Sequence, residues 1–513
     1  MGIRLVRSPA FHLALLSAFF FCTISVVAAH RQLWFDELFT FYVSRLETPL
    51  TVLHALLDKV EELPPVDFLL RNISMQLFGE SAWAFRLPTI IMSWLASLLL
   101  YRIVYTRTSA GPALVAFTFP LTTLFLHYSH EGRAYSLLVA VACLALWAWQ
   151  RCTEKPQNLA ALGLLTCSLA LGPLCHYYGI LNYAPIVVGE GIRVVQRRKL
   201  SWPVLLSIVL SLPLLSLVVP FATTAMEQMG SLEPGAMSRL GFLTIPMSFY
   251  REIFSNTFLP TVGSLAIITV LASCARTSHT YPPPRQIPIH ELGAAITFCL
   301  IPFMVYIAAR LCTEVLATRY AIATIIGPAL LMAYFTHCLG RRLRHFATVL
   351  VLSFVVVGVY SLSMMARSYI RAQPFPSQAL QEFVAHAEFP VAVPDAHLYF
   401  KLYHYLPDGV RQRIYYVVEP IATPEYSGAR GDEVAMVRMT KILPFNIIDS
   451  SELVRHYQHF FVIDSGNWLI KKLFNDGARI SLAGMSDEQK ILFVETSGGS
   501  NIRRHANLIQ VAP

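Results

Sequence analysis

Four short groups of polar residues in this 513-residue chain combine the side chains that proton transfer and anion binding require. The first, Trp34-Phe35-Asp36-Glu37, sets two acids side by side just past a long apolar run. A carboxylate so placed can take a proton from a hydroxyl as a general base. The same pair could equally cap a helix and put an acid in its first turn. The second group, His127-Tyr128-Ser129-His130-Glu131-Gly132-Arg133-Ala134-Tyr135, offers imidazoles, a carboxylate and a guanidinium. Glu131 and Arg133 could pair with each other, or the acid could act on a substrate while the planar guanidinium holds a phosphate. His127, His130 and Glu131 are also metal-ligand types, although not at a known metal spacing, so a divalent metal stays open. In the third group, His176-Tyr177-Tyr178-Gly179, the histidine could be simply hydrogen-bonded or could serve as a ligand or proton carrier. The fourth, Arg310, Glu314 and Arg319-Tyr320, could bind a lipid phosphate or anchor the chain at an interface.

The elements that must position these groups are membrane helices. Hydrophobic residues make up 55% of the chain and charged residues 14%, against roughly 25% charged in a soluble protein. A soluble fold would need an apolar core larger than domains build. Apolar runs lie at 10–29, 84–104, 112–128, 134–150, 158–175, 178–195, 202–222, 257–275, 290–309, 320–339 and 346–366. A span takes about 20 residues, so these runs predict about eleven transmembrane helices. Every second loop is short and basic: Arg102 and Arg107; Arg151 and Lys155; Arg193, Arg197, Arg198 and Lys199; Arg276 and Arg285; Arg341, Arg342 and Arg344. With Arg4 and Arg7, that bias puts the N-terminus and these loops in the cytoplasm. The net charge of +9 is therefore topology. No basic-aromatic stripe suggests a nucleic-acid partner.

All four polar groups then fall on the non-cytoplasmic side, with the long loops 30–83 and 223–256. Within the first loop, Leu50 to Val60 and Phe68 to Phe78 are amphipathic and suit helices lying in the interface. His279 to Pro288 reads as an irregular cytoplasmic linker. Val26-Val27-Ala28-Ala29-His30 is a poor cleavage site, so the first run is expected to remain as a helix. The nine cysteines include no C-x-x-C pair, which argues against a zinc ribbon or redox motif and for small buried apolar side chains.

From 367 to 513 charged residues return and long apolar runs stop. Short apolar segments at Pro390 to Pro394, Ile414 to Val418, His459 to Ile463, Ile480 to Leu482, Ile491 to Glu495 and Leu508 to Val511 read as strands. Helical patterns such as Leu453 to His456 and Trp468 to Phe474 lie between them, which suggests a small α/β domain on the outer face. No glycine-rich phosphate loop occurs in it.

Several stretches together carry a family resemblance: Trp34 to Thr40, Leu63-Pro64-Pro65 to Leu70, Leu77-Phe78-Gly79-Glu80-Ser81-Ala82-Trp83-Ala84-Phe85-Arg86-Leu87-Pro88, His127 to Leu137, His176 to Gly179 and Thr318-Arg319-Tyr320. In this order they resemble the GT-C superfamily of lipid-carrier-dependent glycosyltransferases, in the bacterial branch related to protein O-mannosyltransferases and aminoarabinose transferases. The resemblance implies an α-helical polytopic membrane domain over 1–366 and a soluble α/β domain over 367–513. It implies transfer of a sugar from a polyprenyl-phosphate donor to a glycan, lipid or protein acceptor outside a bacterial inner membrane. Asp36 matches the place of the catalytic base, with Glu37 beside it, and Glu131 matches an acid that contributes to the same site. Arg133 and Arg319, with Tyr320, become candidates for the donor phosphate; His130, His176 and Tyr177 become substrate contacts. Relatives often carry His or another polar residue where this chain has Leu63, so a contact made there is not carried over. Some relatives use a divalent metal and others do not, which leaves the cofactor open.

A transporter or flippase of lipid-linked glycans is the alternative, and it would show inverted repeats and polar groups near the bilayer midplane. A scaffold with an outer binding domain would leave the acid-arginine groups without a task.

Overall fold

Long apolar helices are stable where lipid replaces water, because each satisfies its own backbone hydrogen bonds. The structure is a computed structural model that describes residues 9–222, 241–255, 286–313, 316–342, 344–373, 375–418, 430–464, 468–487 and 489–496. Among these, six helices are long and apolar enough to cross a membrane: Pro9–His30, Ala82–Tyr105, Tyr135–Glu154, Trp202–Ala222, Thr318–Leu339 and Arg344–Arg371. Ile289–Cys299 and Ile301–Cys312 form a pair bent by 49°. Pro302 stands in the first turn of the second member, where its missing N–H and ring favour a break. Ala110–Thr122 and Leu159–Cys175 are shorter apolar helices. The 178–195 run is divided between a 3-10 stretch, Tyr177–Asn182, and the helix Tyr183–Arg197. The protein is thus an integral membrane protein, mostly helical. The expected span 257–275 lies outside the described residues, as do Arg4, Arg7, Arg276, Arg285, Glu314, Leu508–Val511 and most of the 223–256 loop and the His279–Pro288 linker.

The chain divides into two compact units. Unit 1 comprises Met1–Arg31, Leu63–Met229 and Pro234–Ile370; unit 2 comprises Gln32–Glu62, Gly230–Glu233 and Arg371–Pro513.

In unit 1 the Leu77 to Pro88 stretch is a latch between helices. Gly79, at φ 86, ends the helix Val66–Phe78 in a conformation that favours glycine. Two residues on, Ser81 caps the helix Ala82–Tyr105 by accepting from the Ala84 N–H at 3.1 Å. Arg86 is fully buried and donates to the carbonyl oxygens of Ala28 and Arg31, which fastens the end of the first span. Arg71 is also fully buried; it grips Asp67 through two bonds at 2.8 and 2.9 Å and donates to Phe85 O at 2.8 Å and Thr89 Oγ1 at 2.9 Å.

Unit 2 contains a six-stranded sheet in the order β3-β2-β1-β4-β6-β5. Its strands are β1 Val391–Val393, β2 Ile414–Val418, β3 Ile447–Asp449, β4 His459–Asp464, β5 Arg479–Ser486 and β6 Gln489–Glu495. The first four pair in parallel, with Val391 opposite Ile414 and Phe461, and β5 and β6 complete the edge antiparallel. Parallel neighbours need crossover helices, which Ala396–Tyr405 supplies between β1 and β2 and Arg430–Met439 between β2 and β3. The helix Phe35–Ser44 belongs to this unit and packs on Ala396–Tyr405 through Phe39 and Phe400, whose rings are 5.0 Å apart.

Removing one partner of a buried ion pair leaves an uncompensated charge and costs about 3–5 kcal/mol. Arg71→Met is therefore expected to lower the thermal midpoint of the purified protein sharply, and Asp67→Leu/Arg71→Met to recover most of the loss. A single variant as stable as the parent would show that the latch does not hold the helices.

Candidate active site

The loop from Tyr128 to Tyr135 is held by packing that tolerates little else. An added Cβ on Gly132 would stand 2.1 Å from the Phe85 ring, so only glycine lets the chain pass there. Ser136 Oγ donates to Tyr128 O at 2.7 Å and closes the loop. This geometry turns Glu131 inward, where it is buried with its Oε2 3.1 Å from His127 Nε2 and 3.9 Å from an Arg31 nitrogen. His130 is fully buried and has Arg31 Nη1 3.3 Å from its Nδ1. Burial first, then the charges of Arg31 and His127, hold its pKa well below the usual range, so the ring is neutral. Its face meets Tyr369 edge-on at 5.2 Å, and the Arg31 guanidinium lies 5.8 Å from that same ring.

His176 is positioned by a second tight approach. The helix Leu159–Cys175 stops where His176 turns to extended backbone. The chain then returns so closely that a Cβ on Gly179 would sit 2.2 Å from the Gly172 carbonyl. His176 Nδ1 accepts from the Tyr178 N–H at 3.3 Å. Tyr135 and Tyr320 lie 5.8 and 5.2 Å from its ring, and Tyr178 and Tyr320 stack at 4.8 Å. Burial, then the positive charges of Arg133 and Arg319, lower its pKa to about 3. Two guanidiniums far apart in sequence therefore act on one imidazole. Tyr128 is raised by burial and by Glu131, with Arg319 opposing.

Unit 1 thus gathers Glu131, His130, Arg133, His176, Arg319 and Tyr320 from three separate stretches of chain, with Tyr177 half-buried beside them. Arg310 lies exposed on the turn Ala309–Thr313. Arg31 and Tyr369 were not singled out by sequence reasoning, and Tyr128 was given no role within its group; for Arg31 the available signal was a cation directly past the first apolar run. Glu252 joins them, accepting from the Thr318 hydroxyl next to Arg319. Among the described residues no three His, Cys, Asp or Glu side chains are grouped to hold a metal ion. Glu131 and His130 instead face Arg31 and His127.

Asp36 and Glu37 stand in unit 2, in the first turn of Phe35–Ser44. Glu37 is fully buried and accepts the Trp34 N–H at 3.3 Å, a capping arrangement. Asp36 is half-buried, and its carbonyl accepts from Thr40 Oγ1 at 3.2 Å. One face of this helix is covered by His397, stacked on Phe35 at 3.9 Å, and by His404, whose Nδ1 lies 3.0 Å from the Tyr42 hydroxyl. His397 is raised by its bond to Asp432, with Asp395 and Asp36 adding to the effect.

His404 carries a pH prediction. Burial, then Arg411 and Arg45, push its pKa down to about 4. Its neutral form is the folded one, while the unfolded chain gains a proton near pH 6.5. The unfolded state then binds more protons, so stability is present above 6.5 and is lost as pH falls toward 4. Thermal unfolding of His404→Gln against pH is expected to fall less steeply over this window, by about 2 kcal/mol at its acid end. Identical slopes would contradict a neutral buried His404.

Residues 62–221 match the family described as dolichyl-phosphate-mannose-protein mannosyltransferase. That stretch contains the Leu77 to Pro88 latch, the Tyr128–Tyr135 loop and His176. No curated protein matches the chain by sequence. Among solved structures, ArnT from Cupriavidus metallidurans bound to undecaprenyl phosphate is similar over 94% of this chain and 98% of its own, with 14% identity and a TM-score of 0.57. The apo state of the same protein matches over 95% and 98%, with 14% identity and a TM-score of 0.50. This chain therefore has the GT-C fold that the order of its motifs resembles, and its residues 62–221 carry the sequence pattern of the mannosyltransferase family.

Proposed function

We propose that the protein is a membrane glycosyltransferase that moves a sugar from a polyprenyl-phosphate donor to a glycan, lipid or protein acceptor. The observation that carries this reading is the meeting of the Tyr135, His176 and Tyr320 rings, at 5.8 and 5.2 Å, which brings together the stretches that hold Arg133 and Arg319. Two cations held near the ends of membrane helices suit a lipid-borne phosphate. A charge-complementary ligand is also supported by the undecaprenyl phosphate carried by ArnT, which shares the fold.

In this reading a hydroxyl oxygen of the acceptor attacks the anomeric carbon in line, the bond from that carbon to the phosphate oxygen breaks, and the sugar inverts. Arg133 and Arg319 stabilise the charge that develops on the departing phosphate. The hydroxyl proton goes to Asp36, assigned from its place in the family order. Glu37, bonded to the Trp34 N–H, holds the turn that presents Asp36. Glu131 contributes to the same chemistry through Arg31 and His127, and His130, Tyr177 and Tyr320 line the substrate. We place the protein in a bacterial inner membrane, with the N-terminus cytoplasmic and unit 2 on the periplasmic or extracellular face. In support, Arg102, Arg107, Arg151 and Lys155 lie at one end of the helices Ala82–Tyr105 and Tyr135–Glu154, and the acid-histidine-arginine group lies at the other.

Purified protein in lipid, incubated with a panel of radiolabelled polyprenyl-phosphate sugars, is expected to release label to water or to an acceptor. Asp36→Asn should reduce release by about 100- to 10,000-fold, the usual worth of a general base, with insertion and elution unchanged. Full activity in that variant would remove Asp36 from the mechanism. Movement of such lipids between leaflets with no turnover would instead favour the transporter.

A further inference from the structure

At the end of unit 1 remote from His176, four helix ends border an open basic cavity of about 1010 Å³. The helix Tyr135–Glu154 is 20 residues long, so its two ends are separated by about 30 Å, and the cavity belongs to neither the acid-histidine-arginine group nor its chemistry. Lys155, Arg193, Arg197 and Lys199 line it, together with Ser201 and Trp202. The local sequence explains the arrangement. Asn158 caps Leu159–Cys175 by accepting the Ala161 N–H at 3.1 Å. Arg198, at φ 48, ends Tyr183–Arg197 in a left-handed turn and sends the chain back toward Ser201, which begins Trp202–Ser211.

Three features of this cavity point to an anion. Of the nearby acids, Glu190 compensates one lining cation, Arg193, at 2.8 Å, while Glu154 is paired with Arg107 at 2.6 Å and Arg151 at 3.2 Å, away from the lining, so Lys155, Arg197 and Lys199 keep the cavity basic. Two helix N-termini, at Leu159 and Trp202, add their partial positive charge. Ser201 lines the cavity with only 9% of its surface exposed, and among the described residues its buried Oγ has no hydrogen-bond partner. A buried hydroxyl without a partner costs stability unless a ligand or water satisfies it. The surroundings identify the source of the anion. Leu159 is 81% exposed and Trp202 70%, on helices whose apolar surface faces lipid. Basic pockets between membrane helices take acidic lipid headgroups, and an exposed tryptophan suits the headgroup level.

We propose that this cavity binds the phosphate of an anionic phospholipid, with Arg197 and Lys199 neutralising the charge and Ser201 donating to a phosphate oxygen. The full chain in nanodiscs of phosphatidylcholine with or without phosphatidylglycerol, and native mass spectrometry of retained lipid, test it. Wild type is expected to retain phosphatidylglycerol at least tenfold over phosphatidylcholine, and to lose this preference roughly tenfold or more in R197Q/K199Q. S201A, which removes no charge, should weaken retention several-fold, and R198N, which removes a cation outside the lining, should stay within about twofold of wild type. The proposal is overturned if wild type shows no preference, if R197Q/K199Q and S201A both retain the lipid as wild type does, or if R198N loses as much as R197Q/K199Q. It is likewise overturned if 10 mM inorganic phosphate in pure phosphatidylcholine stabilises the protein as much as phosphatidylglycerol does, since a soluble phosphate would then be the ligand.

Discussion

A guanidinium cannot stand in the apolar interior of a helix bundle without acceptors, and much of unit 1 follows from meeting that demand. Arg71 is met by a carboxylate, a carbonyl and a hydroxyl, and Arg86 by the last carbonyls of the first span. Arg31, one residue past that span, reaches His130 and Glu131. Except for the Arg71–Asp67 pair, which lies within one helix, these bonds tie separate stretches of chain, so the arginines act as fasteners near the helix ends. The Tyr128–Tyr135 loop and Gly132 are placed by this fastening, because the Phe85 ring against Gly132 lies beneath Arg71, whose guanidinium is 4.9 Å from it.

The same low polarity that makes unmatched charge costly makes matched charge effective. His176 shows this: buried among tyrosines and close to two arginines, it releases its proton and leaves the positive field to Arg133 and Arg319. At the other end of the same helices, acids pair with Arg107, Arg151 and Arg193, and Arg193 lines a cavity together with Lys155, Arg197 and Lys199. Unit 1 thus separates two positive regions of different design: a buried one with aromatic walls, and an open one beside lipid-facing side chains.

Much of this was legible in the sequence, for identifiable reasons. Lipid imposes length and composition on each span, so Pro9–His30, Ala82–Tyr105 and Tyr135–Glu154 were visible as apolar runs. Five of the expected short segments became β1, β2, β4, β5 and β6; in β1, β2, β4 and β6 this is because strands with buried positions are dense in Val, Ile and Phe. Strand β3 has three residues, none of them buried, and left no pattern to read. The helix Phe35–Ser44 looked like part of an outer loop; its place in unit 2 comes from the ring contacts of Phe35, Phe39 and Tyr42 with His397, Phe400 and His404, which no local spacing encodes. Glu37 looked like a second catalytic acid, and its bond to the Trp34 N–H adds a capping role that the alternative reading of that group had contained. The pairing of Arg133 with Arg319 about His176 was visible only as two candidates, because their meeting depends on how far-apart helices pack.

In the proposed function two arginines hold a lipid phosphate, and equilibrium binding of sugar-free undecaprenyl phosphate to the purified protein tests this most directly. Loss of one charged partner of a desolvated phosphate costs on the order of 2 kcal/mol or more, so Arg133→Gln and Arg319→Gln are each expected to weaken binding more than tenfold, while Asp36→Asn binds as the parent does. Unchanged affinity in both arginine variants, with the fold intact, would contradict the assignment of the phosphate to this site.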